Sequence, residues 1–129
     1  MAPTQFLNFI AGDWVVPSGG EYFENRNPAD WNDVIGLFPR SGADDLKRAI
    51  ASAKRGFLQW SRTPAPMRGQ VLQRVGQLLV ERKNDVARAM TREMGKVVAE
   101  TGGDVQEGID TAFYAATEGR RLFGRVVPS

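Results

Sequence analysis

The sequence of 129 residues contains no cysteine and no histidine. Without cysteine the chain has no disulfide, no thiolate nucleophile and no thiolate-bound metal. Without histidine it lacks the side chain that acts most often as a general base and as a metal ligand. Carboxylates, hydroxyls, lysine and tyrosine remain, so the composition disfavours covalent catalysis and leaves acid–base chemistry open.

The sequence also lacks an excess of charge of one sign and any long apolar run. Its 17 Lys and Arg against 15 Asp and Glu give a net charge of +2, which does not indicate a nucleic-acid partner. No stretch approaches the roughly 20 apolar residues that span a bilayer, and residues 1–9 lack the pattern of a secretory signal. We therefore expect a cytoplasmic globular protein that binds neither nucleic acid nor membrane.

Residues 1–40 alternate short apolar runs with turn residues, which predicts a region of strands and loops. Three loop residues that include glycine, between two apolar runs, are typical of a β-hairpin. The predicted features are a hairpin of residues 6–10 and 14–16, a turn at Asn27-Pro28, and a strand over residues 34–38 that ends at Pro39.

Beyond residue 41 the apolar period lengthens to about 3.6, which predicts about four helices over residues 41–124. Ser41 and Asp44 have the spacing of a capping box for the first helix, and Thr63-Pro64 begins the second. The third runs from Asn84 to Gly95 and the last from about Val98 to Phe123. The stripes that we expect to be buried are Leu46, Ala49, Ile50, Ala53, Phe57 and Trp60; Val71, Leu72, Val75, Leu78 and Leu79; Val86, Ala87, Ala89 and Met90; and Val98, Val105, Ile109, Ala112, Phe113, Ala116 and Phe123.

Four glycines, Gly102, Gly103, Gly108 and Gly119, fall inside the last predicted helix. Each costs about 1 kcal/mol relative to alanine, so we expect another backbone to approach this helix closely. Three short strands give the helices only a small sheet to pack on. The apolar stripes therefore predict that part of the partner surface is absent, and that the chain self-associates or stays loosely packed.

Short motifs run through the whole chain. They are FIAGDWV at residues 9–15, NPA at 27–29, VIG at 34–36, AIASA at 49–53 with Trp60, PMR at 66–68, EMGK at 93–96 with Glu100, GDV at 103–105, ID at 109–110, YA at 114–115 and GRVVPS at 124–129. This order and spacing resembles the N-terminal region of the aldehyde dehydrogenase superfamily.

The resemblance implies an α/β protein with a Rossmann-like NAD(P)-binding domain, a catalytic domain and an oligomerisation arm. Full-length members oxidise aldehydes to acids with NAD or NADP, through a catalytic cysteine and a general-base glutamate that match no position here. Residues 1–129 would be the N-terminal part of the cofactor domain, with an entry segment (1–40), a helical segment (41–124) and the start of the strand to the arm (125–129).

The resemblance thus implies a scaffold portion that is inactive and binds no cofactor alone. Its partners would be the remainder of the dehydrogenase chain or copies of itself, in a homo-oligomer. An alternative is a stand-alone helical interaction protein derived from the same fold. A third hypothesis, a hydrolase that uses the carboxylates, is disfavoured because Glu93, Glu100, Asp104, Glu107 and Asp110 alternate with basic residues as on a solvated helix face.

Two further residues follow from the resemblance alone. Family members often hold a structural cation with a backbone oxygen from the strand before Asn-Pro and a carboxylate from the last helix, which correspond to Asn25 and Asp104. Gly102-Gly103 is not expected to bind phosphate, because it lies inside a helical pattern and does not follow a strand. Trp14, Trp31 and Trp60 are expected to be core or turn residues, and the arginines a solvated surface.

Overall fold

A computed structural model describes residues 3–121, which contain short antiparallel strand pairs followed by helices. The α/β class is therefore confirmed. The elements are β1 (Asn8–Ile10), β2 (Asp13–Val15), β3 (Tyr22–Asn27), β4 (Asp30–Pro39), α1 (Ala43–Trp60), α2 (Ala65–Glu81), α3 (Lys83–Met94) and α4 (Val98–Glu118). Two compact units divide the chain: residues 3–59 with 92–95 form the first, and residues 60–91 with 96–121 the second.

The first predicted hairpin is confirmed. β1 and β2 pair antiparallel, with Asn8 opposite Val15. The connecting residues Ala11 and Gly12 have φ values of 60° and 94°. Two consecutive positive φ values match the right-handed twist of the flanking strands, which is why glycine is favoured in such a turn.

The second hairpin consists of β3 and β4, joined at the turn predicted from Asn27-Pro28. β4 ends at Pro39 as expected, but it is longer than the predicted strand. The sequence pattern did not indicate β3, because its residues YFENRN are mostly polar and do not alternate clearly. The register shifts after Asn25, so the pairing is irregular at that end of the hairpin.

The N-terminal segment lies along β4 in parallel orientation. Gln5 pairs with Leu37, and the Phe6 amide donates to the Leu37 carbonyl at 2.8 Å. The Phe6 ring stacks on Phe38 with centroids 4.4 Å apart. A Cβ atom at Gly36 would lie 2.5 Å from the Phe6 ring, so this close packing requires glycine.

The predicted capping box of α1 is wrong. Ser41 exchanges hydrogen bonds with the Asn8 side chain, and the carboxylate of Asp44 pairs with Lys47. Asp45 caps the helix instead, because its carboxylate accepts from the amide of Gly42 at 3.0 Å.

The predicted burial of the α1 stripe is also wrong. Leu46 is 60% exposed and Phe57 is 65% exposed, and Ile50 and Trp60 are exposed as well. The one buried residue of α1 is Asp45. The periodicity identified the apolar face correctly, but the described residues do not cover it.

The second unit has a small core at which α2, α3 and α4 meet. Ala87, Val105 and Ile109 are buried there, as predicted, and the partly buried side chains packed against them are Leu79, Val86 and Met90. Pro64, not Thr63, occupies the N-cap of α2, with no side-chain hydrogen bond. α4 begins at Val98 as expected; the predicted end at Phe123 lies outside the described residues.

Several stripe residues of this unit are exposed where burial was expected: Val71, Leu72, Val75, Val98 and Phe113. The stripe prediction is wrong for them; the sheets within residues 3–121 have two strands each. Within residues 3–121, no helix has the length and hydropathy needed to cross a membrane.

Two glycines of α2 lie in close contact with α4, Gly69 with its backbone and Gly76 with a side chain. A Cβ atom at Gly69 would lie 2.3 Å from the carbonyl oxygen of Ala116, and one at Gly76 would lie 2.9 Å from the Phe113 ring. α2 and α4 therefore lie so close together at Gly69 that a residue with a side chain would not fit there.

The predicted role of the α4 glycines is confirmed at one position only. A Cβ atom at Gly119 would lie 2.5 Å from the Ala65 carbonyl oxygen. At Gly102, Gly103 and Gly108 the prediction is wrong, because a Cβ atom would meet no atom of another element within 4 Å among residues 3–121.

We predict opposite effects of alanine at two helical glycines. Gly69→Ala should destabilise the chain by about 1–3 kcal/mol, because the added methyl group meets a backbone oxygen that cannot rotate away. Gly103→Ala should stabilise it by up to about 1 kcal/mol, because helix propensity improves in open space. Urea denaturation of both variants measures the difference, and equal stabilities would contradict the proposed contact.

Candidate functional site

A buried carboxylate joins the turn after β2 to the start of α1. The Asp45 side chain is 2% exposed and accepts from the amide and hydroxyl of Ser18 at 3.0 and 2.9 Å. The Gly42 amide and the Arg48 guanidinium donate to it at 3.0 and 2.7 Å. These donors, the Gly42 amide first, hold the pKa of Asp45 well below its usual range. Sequence reasoning missed this cluster, although Asp45 follows Gly42 at the three-residue spacing of a cap.

A second carboxylate ties β4 to the end of α3. Arg92 donates from Nε to Oδ2 of Asp33 at 2.7 Å and from Nη2 to its Oδ1, in a bidentate pair. The same guanidinium donates to the Val34 carbonyl at 3.2 Å, and the Asn27 amide donates to Asp33 at 3.3 Å. The Arg92 hydrogen bonds lower the pKa of Asp33 from 3.8 to about 2 and raise the pKa of Arg92.

The EMGK segment lies against the same hairpin. Asn25 donates from its side-chain amide to Oε1 of Glu93 at 3.2 Å. Gly95 has φ of 76°, and a Cβ atom there would lie 3.1 Å from the Pro28 ring. The turn after α3 therefore needs glycine for both its conformation and its packing.

Asp104, the other predicted cation ligand, makes an ion pair in the second unit. Its Oδ2 accepts from Nζ of Lys96 at 2.6 Å, and this bond raises the pKa of Lys96. Asn25 belongs to the first unit, where its side chain binds Glu93, so the side chains of Asn25 and Asp104 each have a protein partner within their own unit. The cation site stays a prediction. Residues 3–121 contain no group of three or more acidic side chains placed to hold a metal ion.

The remaining acidic candidates lie on exposed positions. Glu93 is on α3, and Glu100, Glu107 and Asp110 are on α4. Asp110 accepts a hydrogen bond from Gln106, one turn earlier, at 2.9 Å. This arrangement is the solvated helix face that the spacing predicts.

The basic residues and the tryptophans lie on the surface of the described residues. Arg74 pairs with Glu81 and Arg88 with Asp85, as expected of a solvated surface. Trp14, Trp31 and Trp60 lie on three different elements and are exposed, so they are not core residues. Each lies within two residues of a turn, which agrees with the other half of the prediction.

The Gly102-Gly103 pair does not have the setting of a dinucleotide-binding turn. Gly102 and Gly103 lie inside α4, as predicted, where helical hydrogen bonds occupy the backbone amides. A dinucleotide-binding glycine turn follows a strand and leaves its amides free for the pyrophosphate. Gly102 and Gly103 are therefore helix residues and do not form a phosphate-binding turn.

The aldehyde dehydrogenase family model matches residues 14–129. This chain belongs to the aldehyde dehydrogenase family. It is 38% identical over 124 residues to the alpha-ketoglutaric semialdehyde dehydrogenase of Bacillus subtilis, a match that covers 96% of the chain and 25% of that relative. The predicted resemblance is therefore confirmed.

Solved structures of family members share the fold. Lactaldehyde dehydrogenase from Escherichia coli matches with a TM-score of 0.90 and 28% identity, over 99% of this chain and 27% of that one. An NAD-dependent aldehyde dehydrogenase from Sinorhizobium meliloti matches with a TM-score of 0.89 and 26% identity, over 97% and 27%. The chain spans about a quarter of the length of the family members it matches.

We predict that Asp45→Asn lowers the melting temperature of the chain markedly. An amide cannot accept from Ser18, Gly42 and Arg48 as a carboxylate does, and its NH₂ group would face donors in a buried position. The matched control is Asp44→Asn, which removes one exposed ion pair with Lys47 and should change the melting temperature by less than about 2 °C. Equal effects in circular dichroism melts would contradict this.

We predict that Asp33→Asn flattens the acid dependence of stability. Because the folded pKa of Asp33 is about 2 and its ordinary value is 3.8, its contribution is complete above about pH 4 and is lost as the pH falls towards 2. Urea denaturation at pH 5, 4, 3 and 2.5 should show a smaller loss for the variant than for the parent. Arg92→Gln should have the same effect, and unchanged acid dependence in both variants would exclude the proposed coupling.

Proposed function

We propose that this chain forms the N-terminal part of the NAD(P)-binding domain of an aldehyde dehydrogenase and contributes scaffold to it. The observation that carries the proposal is the match of almost the whole chain to lactaldehyde dehydrogenase at a TM-score of 0.90. Under this proposal residues 1–40 are the entry segment and residues 41–124 are the helical segment. Residues 125–129 begin the strand to the oligomerisation arm and lie outside the described residues.

The chemistry of oxidation would come from outside the matched segment. The chain has no cysteine to form a covalent adduct with an aldehyde. Its best-positioned carboxylates, Asp33, Asp45 and Asp104, are each bound to basic or amide groups and are not available as general bases. These contacts support a structural role for the acidic residues.

The substrate and cofactor of the whole enzyme are an aldehyde and NAD or NADP. Two relatives support this class of reaction: the Bacillus subtilis protein is named for a semialdehyde, and the Sinorhizobium meliloti enzyme is described as NAD-dependent. A cytoplasmic location, a homo-oligomer and a structural cation at Asn25 and Asp104 belong to the same proposal.

The alternative is a stand-alone interaction protein with the same fold. The exposed apolar side chains of α1 and α2 favour it, because such surfaces usually mark a contact with another protein. The two hypotheses differ in whether the chain can replace its counterpart inside an active enzyme.

We predict that a chimera will be active. In it, this chain replaces the 124 matched residues of the Bacillus subtilis relative. Oxidation of alpha-ketoglutaric semialdehyde, followed as NADH or NADPH formation, should proceed with kcat/KM within about tenfold of the recipient enzyme, because the reacting groups remain those of the recipient.

Two controls accompany the chimera. The 129-residue chain alone should neither bind NAD or NADP in calorimetry nor reduce them with the aldehyde. A chimera that carries Gly69→Leu should lose activity together with its folded structure, since the leucine collides with the Ala116 carbonyl. A well-folded but inactive parent chimera would support the stand-alone interaction protein.

A further inference from the structure

One helix of the first unit presents a continuous apolar face to solvent. We call Leu46, Ile50, Ala53 and Phe57 the α1 face; their spacing places them on one side of the helix. Leu46, Ile50 and Phe57 are 60%, 46% and 65% exposed. Single exposed apolar residues are common on proteins, but three large ones in adjacent turns form a contiguous patch.

The C-terminal half of the α1 face is an open, shallow surface. An open cavity of about 580 Å³ is lined by Ile50, Ala53, Lys54, Arg55, Phe57 and Leu58. Side chains from another element would fit between Ile50 and Phe57, which stand two turns apart. The exposed apolar side chains therefore offer a surface on which another element can pack.

The charges on α1 are distributed unevenly. In its first half Asp44 pairs with Lys47 and Asp45 with Arg48. In its second half Lys54 and Arg55 make no ion pair within the part of the chain that the structure describes, and both border the cavity. The edge of the apolar patch is therefore cationic, and a complementary surface would carry carboxylates there.

Longer family members indicate what is available to cover this face. Lactaldehyde dehydrogenase contains the same arrangement of elements, yet this chain covers only 27% of it. The match to the Bacillus subtilis relative likewise covers only 25% of the length of that protein. In such proteins further parts of the same polypeptide exist beside the matched segment, and an apolar helix face is buried by packing on another element.

We propose that the α1 face is the surface on which the remainder of the dehydrogenase fold docks, with an apolar contact at Ile50 and Phe57 and carboxylates opposite Lys54 and Arg55. By the remainder we mean the part of the enzyme outside the segment that this chain matches. The inference rests on the proposed function and adds the surface that joins the two parts.

The test compares one substitution in two settings. Phe57→Asp in the 129-residue chain should change the melting temperature by less than about 2 °C, because the side chain is 65% exposed there. In the chimera with the Bacillus subtilis relative, the same substitution should lower the melting temperature by more than about 5 °C, because it places a charge in a buried contact.

The cationic edge has a test of its own. Lys54→Glu with Arg55→Glu should destabilise the chimera at low salt and less so at high salt, since exposed charge pairs are screened. Arg74→Glu is a single charge-reversal control on α2, where the arginine already pairs with Glu81. This control should change the melting temperature of the chimera and of the chain alone by the same amount. Melting of all variants by differential scanning fluorimetry provides the readout.

Other occupants of the α1 face give distinct results. A Phe57→Asp effect of equal size in both settings overturns the proposal. If Phe57→Asp leaves the chimera unchanged but abolishes dimers of the 129-residue chain in sedimentation, a second copy covers the face. If it leaves the chimera unchanged but abolishes binding of the chain to phosphatidylserine vesicles, the face is a membrane contact. Because stability is measured apart from turnover, an inactive chimera with the expected stabilities contradicts the proposed function alone.

Discussion

The approach of two helix backbones at Gly69 is the constraint on which the second unit depends. A carbonyl oxygen of α4 occupies the space that any side chain at this position would fill. The register of α2 against α4 follows from this contact, and Gly76 and Gly119 maintain it at either side. α4 is thereby held where Val105 and Ile109 reach Ala87 on α3 and form the one apolar core of buried residues found within residues 3–121.

Much of this fold is predictable from local backbone preferences, whereas the rest depends on contacts between residues that are far apart in the sequence. The first hairpin and the end of β4 follow from Gly12 and Pro39, whose backbone preferences act within a few residues. The prediction for the cap of α1 is wrong because Asp45, and not Asp44, binds Ser18, which lies 27 residues earlier in the chain. The α4 glycines were easy to notice, but which glycine meets a backbone depends on how helices pair, and periodicity does not contain that information. The same reason explains why the α1 face was recognised as apolar and wrongly expected to be buried.

The cation site at Asn25 and Asp104 is predicted through the family resemblance alone, and it stays a prediction. Composition alone established that this chain has no thiol and no imidazole, but nothing in the spacing of Asn25 and Asp104 indicates a cation. The structure gives their side chains protein partners, Glu93 and Lys96. The acidic residues of the chain are therefore understood best as connections: Asp45 joins a turn to a helix, and Asp33 joins a hairpin to the end of α3. This use of charge supports the scaffold role that we propose for the chain.

The contacts of residues 92–95 have a consequence for dissecting the chain. These four residues belong to the first unit, although the helical residues on both sides of them belong to the second. No single cut of the polypeptide can therefore separate the two units. A piece that ends at Gln59 contains Asp33 and Asn25 but lacks their partners Arg92 and Glu93. The complementary piece contains Arg92 and Glu93 without Asp33 and Asn25. Limited proteolysis between the units would release nicked, associated pieces instead of two independent domains.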